Sequence, residues 1–197
     1  MVDTQKLAII YGCILGDAKL EKPYPGNSRM HIRHSASQFE YLKYKHELLK
    51  PYSLGIFEIR SFDKRYGKTY HAYGFNTIRD RIFTELYHLF YPNGVKIVPK
   101  ELINVGDEWT LAMFIGDDGT FDANSKTIKI SVDAYDMESR KAIVKWLHTR
   151  LGIEATIEKD RIYILKRFMP KVISLVKDLL PESLHYKLGS LRSSLSA

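Results

Sequence analysis

Apolar side chains and one glycine fill every position from Leu7 to Leu15, and Gly16-Asp17 ends the run. That pattern predicts a helix over residues 5–16, buried nearly all round, with small residues at 12 and 16. Residues 18–27 (AKLEKPYPGN) read as a turn-rich loop. Strict alternation follows in Arg29-Met30-His31-Ile32-Arg33. As a strand it points Met30 and Ile32 one way and Arg29, His31 and Arg33 the other. Ser35 or Ser37 can cap a helix running to about residue 52. Strands fit 56–62 and 69–76, joined by the basic turn Asp63 to Lys68. A helix fits 78–91, closed by Pro92-Asn93-Gly94.

The order then repeats. A helix near 107–117 ends in Gly116-Asp117-Asp118-Gly119, and a loop leads to the alternating strand Thr127 to Val132. Asp136 is the natural cap of a helix over about 136–151, strands fit 153–158 and 161–165, and a helix over 167–180 stops at Pro181. Each half reads α-β-α-β-β-α, and Leu-Gly-Ile occurs at both 54–56 and 151–153. A period of about 97–101 residues is far too long for a solenoid. The expected class is α+β, with two pseudo-symmetric half-domains at 1–100 and 101–197.

Charge narrows the partner. Lys plus Arg number 30 against 23 Asp plus Glu, a net +7, which favours a polyanion and nucleic acid first. A single cysteine, Cys13, excludes an intramolecular disulfide and a cysteine-built zinc site. The apolar run of nine residues is too short to span a membrane. Asp3 beside Lys6 and the lack of a small-residue cleavage site argue against a signal peptide. The expected setting is intracellular, a prokaryotic cytoplasm or an organelle. His46, His88, His148 and His185 have no zinc-like spacing, and Tyr41, Tyr44, Tyr52, Trp109 and Trp146 fall at helical packing positions. Neither a Walker motif nor GxGxxG is present, which speaks against a small α/β enzyme for phosphorylated metabolites.

Candidate chemistry lies where two apolar helices end in carboxylates at matching places, Asp17 after the first and Asp117-Asp118 at the second. The helix dipole puts negative potential there, so an opposing positive charge is expected, and a divalent cation is a natural one. Aspartates are hard oxygen ligands suited to Mg²⁺ held together with phosphates. Two such metals can stabilise attacking and leaving oxygens in phosphodiester hydrolysis.

The segments Tyr11 to Ala18 and Leu111 to Gly119 resemble the paired motifs of LAGLIDADG homing endonucleases, most nearly the I-SceI-like monomers of yeast mitochondria. The 101-residue spacing of Asp17 and Asp118, the flanking order and the tail Leu184 to Leu188 extend the likeness over nearly the whole chain. The resemblance implies a monomer that cuts a long, non-palindromic duplex DNA site, leaving short 3′ overhangs. It implies Mg²⁺ or Mn²⁺ as cofactor, with Ca²⁺ binding without supporting cleavage. Asp17 and Asp118 would ligate metal, joined by the carbonyls of Gly16 and Asp117. Lys96 and Lys187 would sit beside the metal site, where an ammonium stabilises developing phosphate charge. Departures are Ala18 for the motif's final glycine, Met113 opposite Gly12 in the alignment, and Asp117 as a third carboxylate. From residues alone, the choice of Asp117 or Asp118 as principal ligand stays open. A non-cleaving binder on the same scaffold, such as a maturase acting on intron RNA, is the competing reading.

In this family each half is expected to form a curved antiparallel sheet saddling the major groove. Arg29, His31 and Arg33 would read bases from one half, Lys129 and Ser131 from the other. Arg60, Tyr70, Arg161 and Tyr163 are further groove-facing candidates, and Lys64, Arg65 and Lys68 suit backbone phosphates. Such binding weakens steeply with salt.

Overall fold

Residues 3–189 are described by the structure, a computed structural model; Met1, Val2 and the last eight positions of the expected second half lie outside the described residues. Both predicted series of elements form, each with one more strand than the pattern suggested. Helix α1 (Thr4–Leu15), strands β1 (Lys19–Leu20) and β2 (Met30–Ser35), helix α2 (Phe39–Leu48), strands β3 (Phe57–Asp63) and β4 (Lys68–Asn76), and helix α3 (Arg81–Phe90) make the first series. A short helix α4 (Leu102–Val105) precedes the second: α5 (Glu108–Asp118), β5 (Gly119–Asp122), β6 (Thr127–Ser131), α6 (Met137–Leu151), β7 (Ala155–Glu158), β8 (Arg161–Ile164) and α7 (Met169–Val176). The real repeat is therefore α-β-β-α-β-β-α. The extra strands are a two-residue piece of the turn-rich loop and a four-residue piece beginning at Gly119, both too short to show a period.

Strand order is the same in both sheets, β1-β2-β4-β3 and β5-β6-β8-β7, and every pairing is antiparallel. The α+β class and the duplicated topology thus stand. Helix ends follow the local chemistry. Asp3 caps α1 by accepting from the Gln5 amide, and Asp136 caps α6 by accepting from Ser139 N. Asp107 and Thr110 form a reciprocal capping box on α5. Gly152 closes α6 in the left-handed region at φ 59°. The cap expected from Ser35 or Ser37 does not form. Their hydroxyls bond each other, a 3₁₀ turn over Ala36–Gln38 intervenes, and α2 is shorter than expected. The expected 167–180 helix is likewise α7 flanked by 3₁₀ turns at Lys166–Phe168 and Lys177–Leu179.

Two compact units separate within the chain: Asp17–His88, and the remainder on either side of it, with the division falling inside α3. In the Asp17–His88 unit, α2 packs on the sheet face carrying Leu20, Met30, Ile32 and Phe75. Phe83 from α3 meets Tyr52 edge-on, with ring centroids 5.8 Å apart. In the other unit α1 packs along α5, and the face of the second sheet carrying Ile128, Ile130, Ile162 and Ile164 is buried. Trp146, fully buried, donates its indole N–H to the Gly106 carbonyl, so burial of the ring leaves no unmet donor. Tyr41 and Trp146 are core residues as expected, while Tyr44, Tyr52 and Trp109 are half-buried. Among the described residues no helix is long and apolar enough to cross a membrane.

Candidate active site at the paired helix ends

Every residue from Ala8 to Leu15 on α1 and from Thr110 to Gly116 on α5 is buried. Helices apolar all round need a partner on more than one side. A Cβ built on Gly12 would lie 2.7 Å from both the Met113 Cβ and the Thr110 carbonyl oxygen, and one on Gly16 would collide with the Asp117 side chain, its Cβ included. Glycine is thus required for the approach at both places. The facing pairs, 12 with 113 and 16 with 117, are each 101 residues apart. Both facing pairs carry the 101-residue offset that relates Asp17 to Asp118 and Gly16 to Asp117 in the sequence. Thr110 adds a buried cross-helix bond, its hydroxyl donating to the Ala8 carbonyl at 2.9 Å.

Two lysines, themselves 91 residues apart, bond carbonyls that keep the 101-residue spacing. Lys96 Nζ donates to the Gly16 carbonyl at 3.1 Å, and Lys187 Nζ donates to the Asp117 carbonyl, also at 3.1 Å. Lys187 reaches further, to the Gly116 carbonyl at 2.7 Å and the Ile115 carbonyl at 3.4 Å, and only 6% of it is exposed. Both ammonium groups therefore finish helix C-termini, whose last carbonyls have no partner within the helix. Part of the positive charge expected at these ends is supplied by the protein itself. The two carbonyls expected to face metal are the ones the lysines hold, although each keeps a second lone pair.

Asp118 closes α5, and its charge bears on Tyr135. Burial first, and that negative charge second, push the Tyr135 phenol well above its ordinary range. The hydroxyl donates to the Leu15 carbonyl at 2.7 Å, and Lys96 Nζ lies 5.2 Å from the ring centroid. Tyr135 was not visible as a site residue in the sequence; its place just after β6 was its only mark.

Asp17 begins the other compact unit, one peptide bond beyond Gly16. Its Oδ2 lies 3.7 Å from Nδ1 of His34, a side chain almost wholly buried at the end of β2. On the far side of that ring Lys45 Nζ lies within hydrogen-bond distance of Nε2, at 3.3 Å. Lys45 is fully buried in α2 and also stands over the Tyr41 ring, 4.5 Å from its centroid. Sequence reasoning missed both residues. The available signal was a lysine at the i+4 position of the stripe Tyr41, Lys45, Leu49, all buried here.

The residues expected to meet DNA divide by strand register. In the first sheet His31 and Arg33 share the face opposite α2 with Tyr70 and Lys68, while Arg60, paired with His71, lies on the face that continues the Tyr73–Phe75 side. Arg60 is thus not a partner of Tyr70 in one surface; it is bonded to Glu58 at 2.9 Å. In the second sheet Lys129, Ser131, Arg161 and Tyr163 do share one face, through the pairs Lys129–Tyr163 and Ser131–Arg161. Glu21 binds three side chains at the edge of the first sheet, Arg29 at 2.7 Å, Arg79 at 2.5 Å and His31 at 3.2 Å. Its carboxyl falls to about 2, held there mainly by the Arg79 and Arg29 guanidinium groups. Lys64, Arg65 and Lys68 are exposed around the β3–β4 turn, with Arg65 bonded to Asp63.

The model of the LAGLIDADG DNA endonuclease family matches residues 7–171. Lys187 lies beyond that span. The chain is 28% identical to a cytochrome b mRNA maturase bI2 of Debaryomyces hansenii, over 96% of this chain and 75% of the relative. It is 29% identical to the maturase of the same name in Saccharomyces cerevisiae, over 93% of this chain, and spans about half (47%) of that longer protein. An intron-encoded endonuclease ai4 of Dictyostelium discoideum is 32% identical over 62% of this chain and 80% of the relative. Among solved structures, the homing endonuclease I-WcaI bound to its DNA recognition sequence has the same fold, with a TM-score of 0.85 at 19% identity over 95% of this chain and 87% of that one.

Proposed function

Because the chain belongs to the LAGLIDADG DNA endonuclease family, we propose that it is a site-specific endonuclease that hydrolyses both strands of a long, non-palindromic DNA site. The observation that carries this reading is the pairing of the two motif helices. Gly16 lies on Asp117, and a lysine closes the carbonyl before each motif aspartate. Chain connectivity alone keeps the Cα of Asp17 about 3.8 Å from that of Gly16. The donor set fits a hard divalent cation, Mg²⁺ or Mn²⁺: the carboxylates of Asp17 and Asp118, and the remaining lone pairs on the Gly16 and Asp117 carbonyls. When bound, the metal supplies Lewis-acid stabilisation of phosphate charge and a water of lowered pKa. The protein's own part is to hold the carboxylates in place and to set the Lys96 and Lys187 ammonium groups beside the phosphate. The sheet faces bearing His31, Arg33 and Tyr70, and Lys129, Ser131, Arg161 and Tyr163, take the DNA grooves, with the β3–β4 turn on backbone phosphates. The repeat units of this machine are the halves 1–100 and 101–197, acting as a monomer.

A Mg²⁺-dependent selection on a randomised duplex library tests the proposal. Wild type should cut at one long motif and leave short 3′ overhangs. Asp17→Asn and Asp118→Asn should bind that motif with nearly unchanged affinity and lose at least about a thousandfold in cleavage rate, the scale of electrostatic catalytic terms. Full activity in both variants would remove the site.

A second reading is favoured by the names of the two maturase relatives: a splicing cofactor for intron RNA that binds without cutting. It predicts no DNA cleavage by wild type, with retained affinity for structured RNA that Asp118→Asn leaves intact.

A further inference from the structure

The two halves of the repeat differ at a group of buried positions with identical spacing. In the first half His34, Tyr41 and Lys45 are buried; in the second, Val132, Ser139 and Ile143 occupy positions 98 residues on and are also buried. Their strands correspond in register, since Met30, Ile32 and His34 alternate inward on β2 as Ile128, Ile130 and Val132 do along β6 and just past it. A polar chain thus stands in one half where the other has Val and Ile. Burying an amine and an imidazole is unfavourable unless they are hydrogen-bonded, so a fold that needed only core at these places would be served by the second half's solution.

Direction within the chain is fixed by chemistry. An ammonium has donors and no acceptor. With Lys45 Nζ 3.3 Å from Nε2 of His34, Nε2 accepts and the imidazole proton sits on Nδ1. Nδ1 lies 3.7 Å from Asp17 Oδ2, too near for an intervening water, and a closure of about half an ångström makes the bond direct. A protonated Nδ1 has no lone pair for a metal. We infer that His34 is a positioning residue rather than a ligand: it holds one oxygen of the Asp17 carboxylate through its Nδ1–H, Lys45 keeps it in that tautomer, and only the first half of the chain has this device. At the matching places of the second half, Val132 and Ile143 have neither a ring N–H nor an ammonium. The two carboxylates are therefore inequivalent. The functional half of the inference rests on the endonuclease reading above; the tautomer does not.

Two measurements on the full chain test it. Long-range ¹⁵N–¹H spectra of histidine-labelled protein should show His34 protonated on Nδ1 with Nε2 as acceptor, and Lys45→Met should shift population toward the Nε2–H form. An Nε2–H tautomer in wild type would overturn the inference, because that is the form a metal-bound Nδ1 requires. With strand-labelled target DNA, His34→Ala should slow the cut in one strand by about 10–100-fold, the usual range for groups that orient a ligand, and the other by less than about threefold. His34→Asn, whose amide N–H can replace Nδ1–H, should recover part of the loss. Equal slowing of both strands, with folding verified by the thermal transition, would overturn it. If wild type cuts neither strand, the endonuclease reading fails, and the spectra still decide the tautomer.

Discussion

The same structural task, closing the end of a motif helix, is solved differently in the two halves. At α1 the helix stops at Leu15, and Lys96 donates to the Gly16 carbonyl with its ammonium 5.2 Å from the Tyr135 ring centroid. At α5 the helix continues through Asp118, and Lys187, nearly buried, donates to three successive carbonyls. Removing a donor leaves buried acceptors unmet, and bonds to a charged group are worth about 1.5–3 kcal/mol each at most. Lys187 should therefore be the more structural of the two. Lys187→Met is expected to cost about 3 kcal/mol or more, lowering the thermal midpoint by about 6–12 °C for a chain of this size. Lys96→Met should cost about 1 kcal/mol while reducing cleavage at least as strongly. Calorimetry and single-turnover cleavage on both variants separate the roles, and equal stability losses would break the comparison.

A smaller effect separates the two glycines. Gly12 faces the Thr110 carbonyl and the Met113 Cβ, both fixed in the helix, whereas Gly16 faces the Asp117 side chain from its Cβ, itself fixed in the helix, to its carboxylate. Gly12→Ala must push backbone aside and is expected to cost about 1–3 kcal/mol, as overpacking does. Gly16→Ala meets the Asp117 Cβ as well as its carboxylate, so it should cost a comparable amount and lose cleavage besides, because that carboxylate must turn away. A Gly12→Ala protein as stable as wild type would mean that the helices separate at little cost.

What the amino-acid pattern revealed and what it hid divide along physical lines. The motif helices, the long strands and the Asp107 and Asp136 caps depend on neighbours in sequence, so they were legible. The 101-residue spacing equating Asp17 with Asp118 was legible too, and the facing pairs Gly12–Met113 and Gly16–Asp117 agree with it. Strands β1 and β5 were hidden because two and four residues carry no usable period. The face of Arg60 was hidden because it depends on the register of the β3–β4 hairpin, where Arg60 pairs with His71 and Ser61 with Tyr70. The His34–Lys45 chain was hidden because a lysine on a buried stripe looks like an error in the pattern until its partner is known.

The two sheets offer the smallest contrast and the last test. Glu21, just past β1, gathers Arg29, Arg79 and His31, while Asp122, at the matching place on β5, meets Lys129 at 3.4 Å and the Asn124 backbone amide at 2.9 Å. Both carboxyls are lowered, Glu21 to about 2 from an ordinary 4.5 chiefly by its arginines, Asp122 chiefly by the Asn124 backbone amide. A depressed carboxyl contributes stability that is present above its unfolded value and lost as pH falls through its folded value. The gap in unfolding free energy between wild type and Glu21→Gln should therefore be full at pH 7, shrink from about pH 4.5 downward, and close near pH 2. Because the cluster is partly exposed, the gap should also narrow in high salt. Asp122→Asn, with its lone lysine partner, should show a smaller salt-sensitive part. Urea unfolding at pH 7, 4.5, 3 and 2 reads both; a Glu21→Gln gap that does not change with pH would mean the arginines are held by something other than that carboxylate. A gap that closes as expected identifies the ionised Glu21 carboxylate as the group that holds Arg29 and Arg79 in place.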